Sequence, residues 1–251
     1  VKKERLLSLV SLLVVLAVWA LASGAAWIHE DSFPSLSQFV LSLKTEILSG
    51  RLITDVVASL FRWSSGFFLA VLVGVPAGLL LGRSPGTQVF LAPYLSFFRS
   101  LSPLVWIPFA VIWFGIGDLP VVFLIFLGCV FPLLFTIVSA VLSVPKIYDD
   151  LAMDYHFHGV EYFFDILLPA VLPQIIASLR LVAGLAWIIL VPAEMLAGKE
   201  GVGFAILDAR NGMRTDLLVL NMLTIGLIGN LIDHGLQYLD AKSKVRWGHG
   251  Q

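Results

Sequence analysis

Six separate stretches of this chain are long and apolar enough to cross a lipid bilayer, and that recurrence constrains the fold more than any other feature. A spanning helix needs about 20 mostly apolar residues. Residues 6–27 and 63–81 carry no charge, and neither do residues 119–144. Residues 89–113 and 166–192 carry one each, Arg99 and Arg180, and residues 217–238 have only Asp233, beside His234 near the end. Lipid offers the backbone no hydrogen-bond partners, so runs of this length must close their bonds internally as helices. The expectation is an all-α integral membrane protein with six transmembrane helices, residues 1–251 forming a single domain. Charged residues make up 13% of the 251, 16 basic and 17 acidic, too few to cover the surface of a soluble enzyme of this size. A net charge of −1 leaves no electrostatic footprint for nucleic acid. The lone Cys129 excludes an intramolecular disulfide and a cysteine-built metal cage.

The first stretch follows Lys2, Lys3 and Arg5, as a signal peptide would, but its apolar run exceeds the usual 7–15 residues or so of such a leader and predicts a retained helix. An even number of spans puts both termini on one side, with Arg83, Lys146, Lys242, Lys244 and Arg246. The other side receives Lys44, Arg51, Arg62, Lys199, Arg210 and Arg214. The positive residues close to span ends make the first side cytoplasmic. Two larger pieces then lie outside, residues 30–62, with an amphipathic stretch at 36–48, and residues 193–216.

Two spans are unusual. The third is interrupted by Pro93, Pro103 and Pro108, which predicts a broken helix packed in protein or lining a cavity. The second repeats a small residue at every fourth position, Gly66, Ala70, Gly74, Gly78 and Gly82, one helical stripe on which another backbone can pack closely.

Between the fourth and fifth spans, residues 145–165 form a short polar loop on the expected cytoplasmic side. It reads as a helix, a turn and a second short helix, with Gly159 suited to the turn. Ile147, Leu151, Met153, Tyr155 and Phe157 are spread around the first helix, so protein should grip it on more than one side. Here the chain resembles a family. Asp150-Leu151-Ala152, a position six residues on, then Ile166-Leu167-Leu168-Pro169 and Pro173 are similar to the Glu-Ala-Ala loop of ABC importer permeases. Ser59-Leu60-Phe61-Arg62, Gly66-Phe67, residues 99–108 and 113–117, Leu179-Arg180, residues 193–196, Gly201-Val202-Gly203 and Arg246-Trp247 resemble the nitrate, sulfonate, taurine and bicarbonate branch, in order along a core at residues 59–241 and just beyond. Asp150 stands where the family has glutamate, Leu151 replaces an alanine, and His156 stands where a glycine makes the turn. The expectation is that the turn has moved to Gly159, the other possibility being direct contact of His156 with a partner.

The resemblance implies a type I ABC importer permease fold with a cytoplasmic coupling helix. It implies a second permease, expected to be another copy of this chain with a paralogue as the alternative, and a periplasmic or lipid-anchored substrate-binding protein; the glycine stripe offers a surface for a seam between the two permeases. Cytoplasmic ATPase subunits would hold ATP and magnesium, since the chain has no Gly-x-x-x-x-Gly-Lys-Ser/Thr loop and needs no cofactor of its own. The coupling contact is expected at Asp149, Asp150, Leu151, Ala152, Asp154, Tyr155, His156, Phe157, His158 and Gly159. Ionisable groups inside a bilayer usually face a protein interior or a watery path. Arg99, with Ser100, Ser102 and Trp106, and Arg180 are therefore the candidates to line the pathway of a small anion, while Glu194 is expected to fix the loop at residues 198–203. The alternatives are an ATP-independent secondary transporter or channel, which broken spans would also suit, and a membrane metalloenzyme built on Asp150, Asp154, His156 and His158. His156 and His158 diverge on a continuous helix, and no metal is expected. The choice among anions is not legible.

Overall fold

A computed structural model describes residues 10, 11, 14, 17–21, 33–157 and 159–246, except for the side chains of residues 85, 149 and 239–246. The expected first span falls largely outside these residues, as do His158 and Trp247. The described residues contain helices and no strand: α1 (Leu36–Leu48), α2 (Arg51–Arg83), α3 (Pro85–Ser100), a 3₁₀ turn (Pro103–Trp106), α4 (Ile107–Phe114), α5 (Asp118–Leu142), α6 (Ile147–Asp154), a π-helical turn (Tyr162–Leu167), α7 (Leu168–Ala197), α8 (Val202–Asn211) and α9 (Thr215–Arg246). Four segments are long and apolar enough to span a membrane: Arg51–Arg83, Asp118–Leu142, Tyr162–Ala197 and Thr215–Tyr238. A fifth consists of two pieces, Gly86–Ser100 and Pro103–Phe114, bent by 85°. The break predicted in the third span thus falls at Leu101-Ser102, ahead of Pro103. Pro93, expected to interrupt the same span, instead lies within continuous α3, as prolines at 76, 132, 173 and 192 lie within α2, α5 and α7, where neighbouring helices support the backbone.

Three boundaries differ from the sequence reading. α2 starts at Arg51, twelve residues before the expected span, so Arg62 lies on a helix rather than in an outer loop. α7 continues past Pro192 to Ala197 and carries Glu194 with it. The expected second short helix of the polar loop is not separate: from Val160 the chain runs through the π-helical turn into α7. The stretch at 36–48 is helical, closed at its start by Ser35 and Gln38, which cap each other's amides.

Helix directions follow from the contacts. Gly66, Gly74, Gly78 and Gly82 of α2 face Ile125, Leu133, Ile137 and Val141 of α5 in one constant register, so the two helices run the same way. Cys129, at the step corresponding to Ala70, is fully buried, as Ala70 is. α7 returns against them and α9 reverses again: Trp187 Nε1 donates to the carbonyl of Ile225, and Arg180 reaches Asp233. The core lies where α2, α5 and α7 meet, around Leu124, Ile125, Leu133, Val182, Ala186 and Leu190. Outward faces of these helices and of α9 carry exposed Phe68, Leu72, Leu181, Ile188, Leu227 and Leu231, apolar where lipid would be.

Candidate translocation and coupling sites

The stripe of small residues fixes the frame. A Cβ on Gly66 would lie 2.7 Å from the Cβ of Ile125, on Gly78 2.8 Å from that of Ile137, and on Gly82 2.6 Å from that of Val141. These approaches are possible only without side chains. The stripe is thus filled by the chain's own α5, which removes it as a seam between two permease copies.

At one end of this frame the chain buries charge. Arg62 is 1% exposed and Glu194 is fully buried. The Arg62 guanidinium donates from Nε to Asp118 at 2.6 Å, and from Nη1 to Glu194 at 2.8 Å and to the carbonyl of Glu200. Glu194 also accepts from Ser59 Oγ and the Gly203 amide, both at 2.9 Å. Ser59 takes the Val202 amide and Asp55 the Gly201 amide, each at 2.9 Å. Three successive amides at the start of α8 are therefore held by side chains of α2 and α7, which satisfies donors that a helix start leaves open. Gly201, at φ +107°, passes so close to the Glu194 carboxylate that a side chain there would collide with it. Sequence reasoning gave Glu194 its loop-fixing role but placed Arg62 on an outer surface. The available signal was an arginine and a glutamate both set in apolar helical runs, which rarely hold a lone charge.

Near the break in the third span lie two cavities, and Arg99 lines both. One, of about 480 Å³, is walled by Thr136, Ser139, Ser143, Gln174 and Ser178 from α5 and α7. The other, of about 320 Å³, is walled by Ser100, Ser102, Pro103, Gly128, Phe131 and Leu185. The Arg99 guanidinium carbon sits 4.9 Å from the centroid of the Phe135 ring, a cation–π contact that orients it between the two spaces. The bend is seated on α5 at Gly128, where a side chain would strike Ile189 and Pro103. Trp106 lines neither cavity; it packs among Phe98, Phe109 and Trp113. Arg180 also lies apart from both, with its Nε 3.2 Å from Asp233 Oδ1 on α9. Asp233, which also accepts from Gln237, is the partner that the sequence reading did not assign.

At the opposite end, α6 closes with the amide of Phe157 on the carbonyl of Ala152 and that of His156 on Met153, at 2.9 and 3.1 Å. This is the Schellman arrangement, and its left-handed position is occupied by His156 at φ +60°. The turn has therefore not moved: His156 itself takes the glycine conformation, and Gly159, at φ +55°, adds a second reversal. Ala152 is buried and Phe157 packs on the core, while Ile147, Tyr148, Leu151, Met153 and Tyr155 are exposed. α6 is gripped from one side only. Beside it a groove of about 340 Å³ is lined by Tyr148, Leu151, Asp165, Ile166, Pro169 and Pro173. Asp150 and Asp154 are exposed on α6; the Asp149 side chain and His158 lie outside the described residues. Among the described residues no three of histidine, cysteine, aspartate and glutamate are grouped to hold a metal.

Residues 70–244 match the family described as binding-protein-dependent transport system inner membrane component. The taurine transport system permease protein TauC of Escherichia coli is 31% identical over 241 residues, covering 94% of this chain and 88% of that protein. The bicarbonate transport system permease protein CmpB of Synechocystis is 34% identical over 193 residues, 76% of this chain and 69% of that one. A chain of the inward-facing MetNI methionine ABC transporter superposes with a TM-score of 0.69 at 16% identity, over 78% of this chain and 98% of that chain, so the fold is that of a type I ABC importer permease. Transport in such systems uses a separate substrate-binding protein and separate ATP-hydrolysing subunits. A continuous match over most of its length places this chain among the binding-protein-dependent transport system inner membrane components, in the branch of ABC importer permeases that holds the nitrate, sulfonate, taurine and bicarbonate proteins.

Proposed function

We propose that this chain forms the membrane pathway of an importer for a small anion of the sulfonate, taurine, bicarbonate or nitrate class, and that the anion passes Arg99. The supporting observation is the place of Arg99, a cation shared by two cavities at the break of a bent span, walled by hydroxyl and amide side chains of α5 and α7. A fixed positive charge in a space with polar walls attracts an anion without stripping it onto a tight site, which is what conduction requires. In complete transporters reconstituted into liposomes with the binding protein and ATPase, Arg99→Ala should lower uptake of the cognate anion about ten-fold or more, and Arg99→Lys should retain part of it. Unchanged uptake and selectivity in Arg99→Ala, in a stable complex, would refute the assignment.

The same reading makes α6 the contact for the ATPase, its exposed Leu151, Met153 and Tyr155 meeting the partner while Ala152 and Phe157 anchor the helix to the permease. The charge distribution supports a cytoplasmic setting for this loop and for both termini. A second copy of the chain completes the pathway, joined through a surface other than the glycine stripe. ATP and magnesium belong to the partner ATPase subunits. Leu151→Asp together with Met153→Asp should abolish co-purification of the ATPase without unfolding the permease.

A further inference from the structure

We infer that Arg83 and Tyr162 are positioning residues that hold the return limb of the coupling loop to the end of α2, making α2 a third support of that loop beside α5 and α7. The inference rests on the reading of residues 145–165 as the ATPase-docking loop.

Four observations meet here. Arg83 is the last residue of α2, and its guanidinium carbon stands 3.9 Å from the centroid of the Tyr162 ring. That distance is well inside the range in which a guanidinium is attracted to an aromatic face. Tyr162 is 7% exposed and opens the π-helical turn, a wide-turned segment of the kind that recurs where a helix serves a function. Gly82, one residue before Arg83, is pressed against Val141 of α5, three residues before the Val144-Pro145 step that leads into α6. The end of α2 therefore touches the return limb of the loop through Arg83 and, through Gly82, the end of α5 from which the outgoing limb leaves.

α2 is also engaged at its far end. Over its 33 residues, about 50 Å of helix at 1.5 Å per residue, it carries Asp55, Ser59 and Arg62 in the buried cluster and Arg83 in the ring contact. The glycine seam locks the length between them to α5. One stiff element thus connects the α8 end of the molecule to the coupling loop, and a displacement of the loop that breaks the ring contact decouples it from that element. Two-state behaviour of the contact is what a pathway requires, and it is testable by substitution at both partners.

The test uses the assembled transporter in liposomes and reads anion transported per ATP hydrolysed, alongside co-purification of the ATPase. Arg83 is exposed, so Arg83→Gln should leave the fold intact. It should lower the transport-to-hydrolysis ratio three-fold or more with the ATPase still bound. Arg83→Lys keeps a cation over the ring and should retain most of the ratio. Tyr162→Leu should reproduce Arg83→Gln, and the double variant Arg83→Gln/Tyr162→Leu should be no worse than either single one. An unchanged ratio in Arg83→Gln, multiplying losses in the double variant, or loss of the ATPase from Arg83→Gln would each overturn the inference. The docking reading fails separately, if Leu151→Asp with Met153→Asp leaves the ATPase attached.

Discussion

Val141 of α5 lies against Gly82 of α2 with no room between them for a side chain: a Cβ on Gly82 would fall 2.6 Å from the Val141 Cβ and 2.8 Å from its Cγ1. The same holds at Gly66 and Gly78, where the opposing atoms are β-branched isoleucines that cannot swing away.

Gly78→Leu and Gly82→Val should therefore force the two helices apart. Overpacking of a filled interior typically costs about 1–3 kcal/mol, and here the obstacle is rigid, so the loss should reach the upper part of that range. Thermal unfolding in detergent should show a clear drop in Tm. Gly86→Ala is the control: a Cβ there meets nothing within 4 Å, and the change should be neutral or gain about 0.5–1 kcal/mol through helix propensity.

Removing Arg62 should be more damaging than neutralising Glu194. Arg62→Met leaves the buried Glu194 carboxylate with Ser59 and the Gly203 amide but no counter-charge, and breaking such a pair costs about 3–5 kcal/mol. Glu194→Gln leaves Arg62 with Asp118, 2.6 Å from its Nε, and should cost clearly less. The order of the two losses, read by thermal unfolding, checks this; the reverse order would contradict it.

Gly201→Ala meets two obstacles at once, a φ of +107° and a Glu194 Cδ 2.6 Å from the new methyl position. The start of α8 should come loose, so hydrogen exchange at the amides of Val202 and Gly203 should accelerate at least ten-fold while the amides of α5 stay protected.

His156→Gly should keep or improve the end of α6, because a left-handed φ costs an ordinary residue about 1–2 kcal/mol that glycine does not incur. His156→Val, β-branched, should disorder the same turn and reduce co-purification of the ATPase. Equal ATPase retention in the two variants would show that the backbone conformation of residue 156 is unimportant for docking.

What the sequence revealed and what it hid divide along a physical line. Spans, the broken third span, the amphipathic α1 and the polar loop are local patterns of apolarity and proline, and each could be read without knowing what packs beside it. The stripe from Gly66 to Gly82 was legible as a packing face, but its partner was not: nothing near it indicated that α5 of the same chain, rather than a second copy, would fill it. Arg62 and Glu194 are 132 positions apart, so their union depends on how α2 and α7 are brought together. His156 departs from glycine at a position whose hydrogen bonds, from Phe157 to Ala152, outweigh the side chain's conformational preference.

The fixed register between α2 and α5 also sets the two points between which the broken span is held. The chain leaves this locked pair at Ser84 and rejoins it at Asp118, next to Gly117, whose amide is tied to the carbonyl of Ala197. Between these two points the bend is itself anchored, Pro103 against α5 at Gly128, Phe98 stacked on Phe131 and Ala110 of α4 fully buried, so the elbow that carries Arg99 takes its place from the same rigid pair.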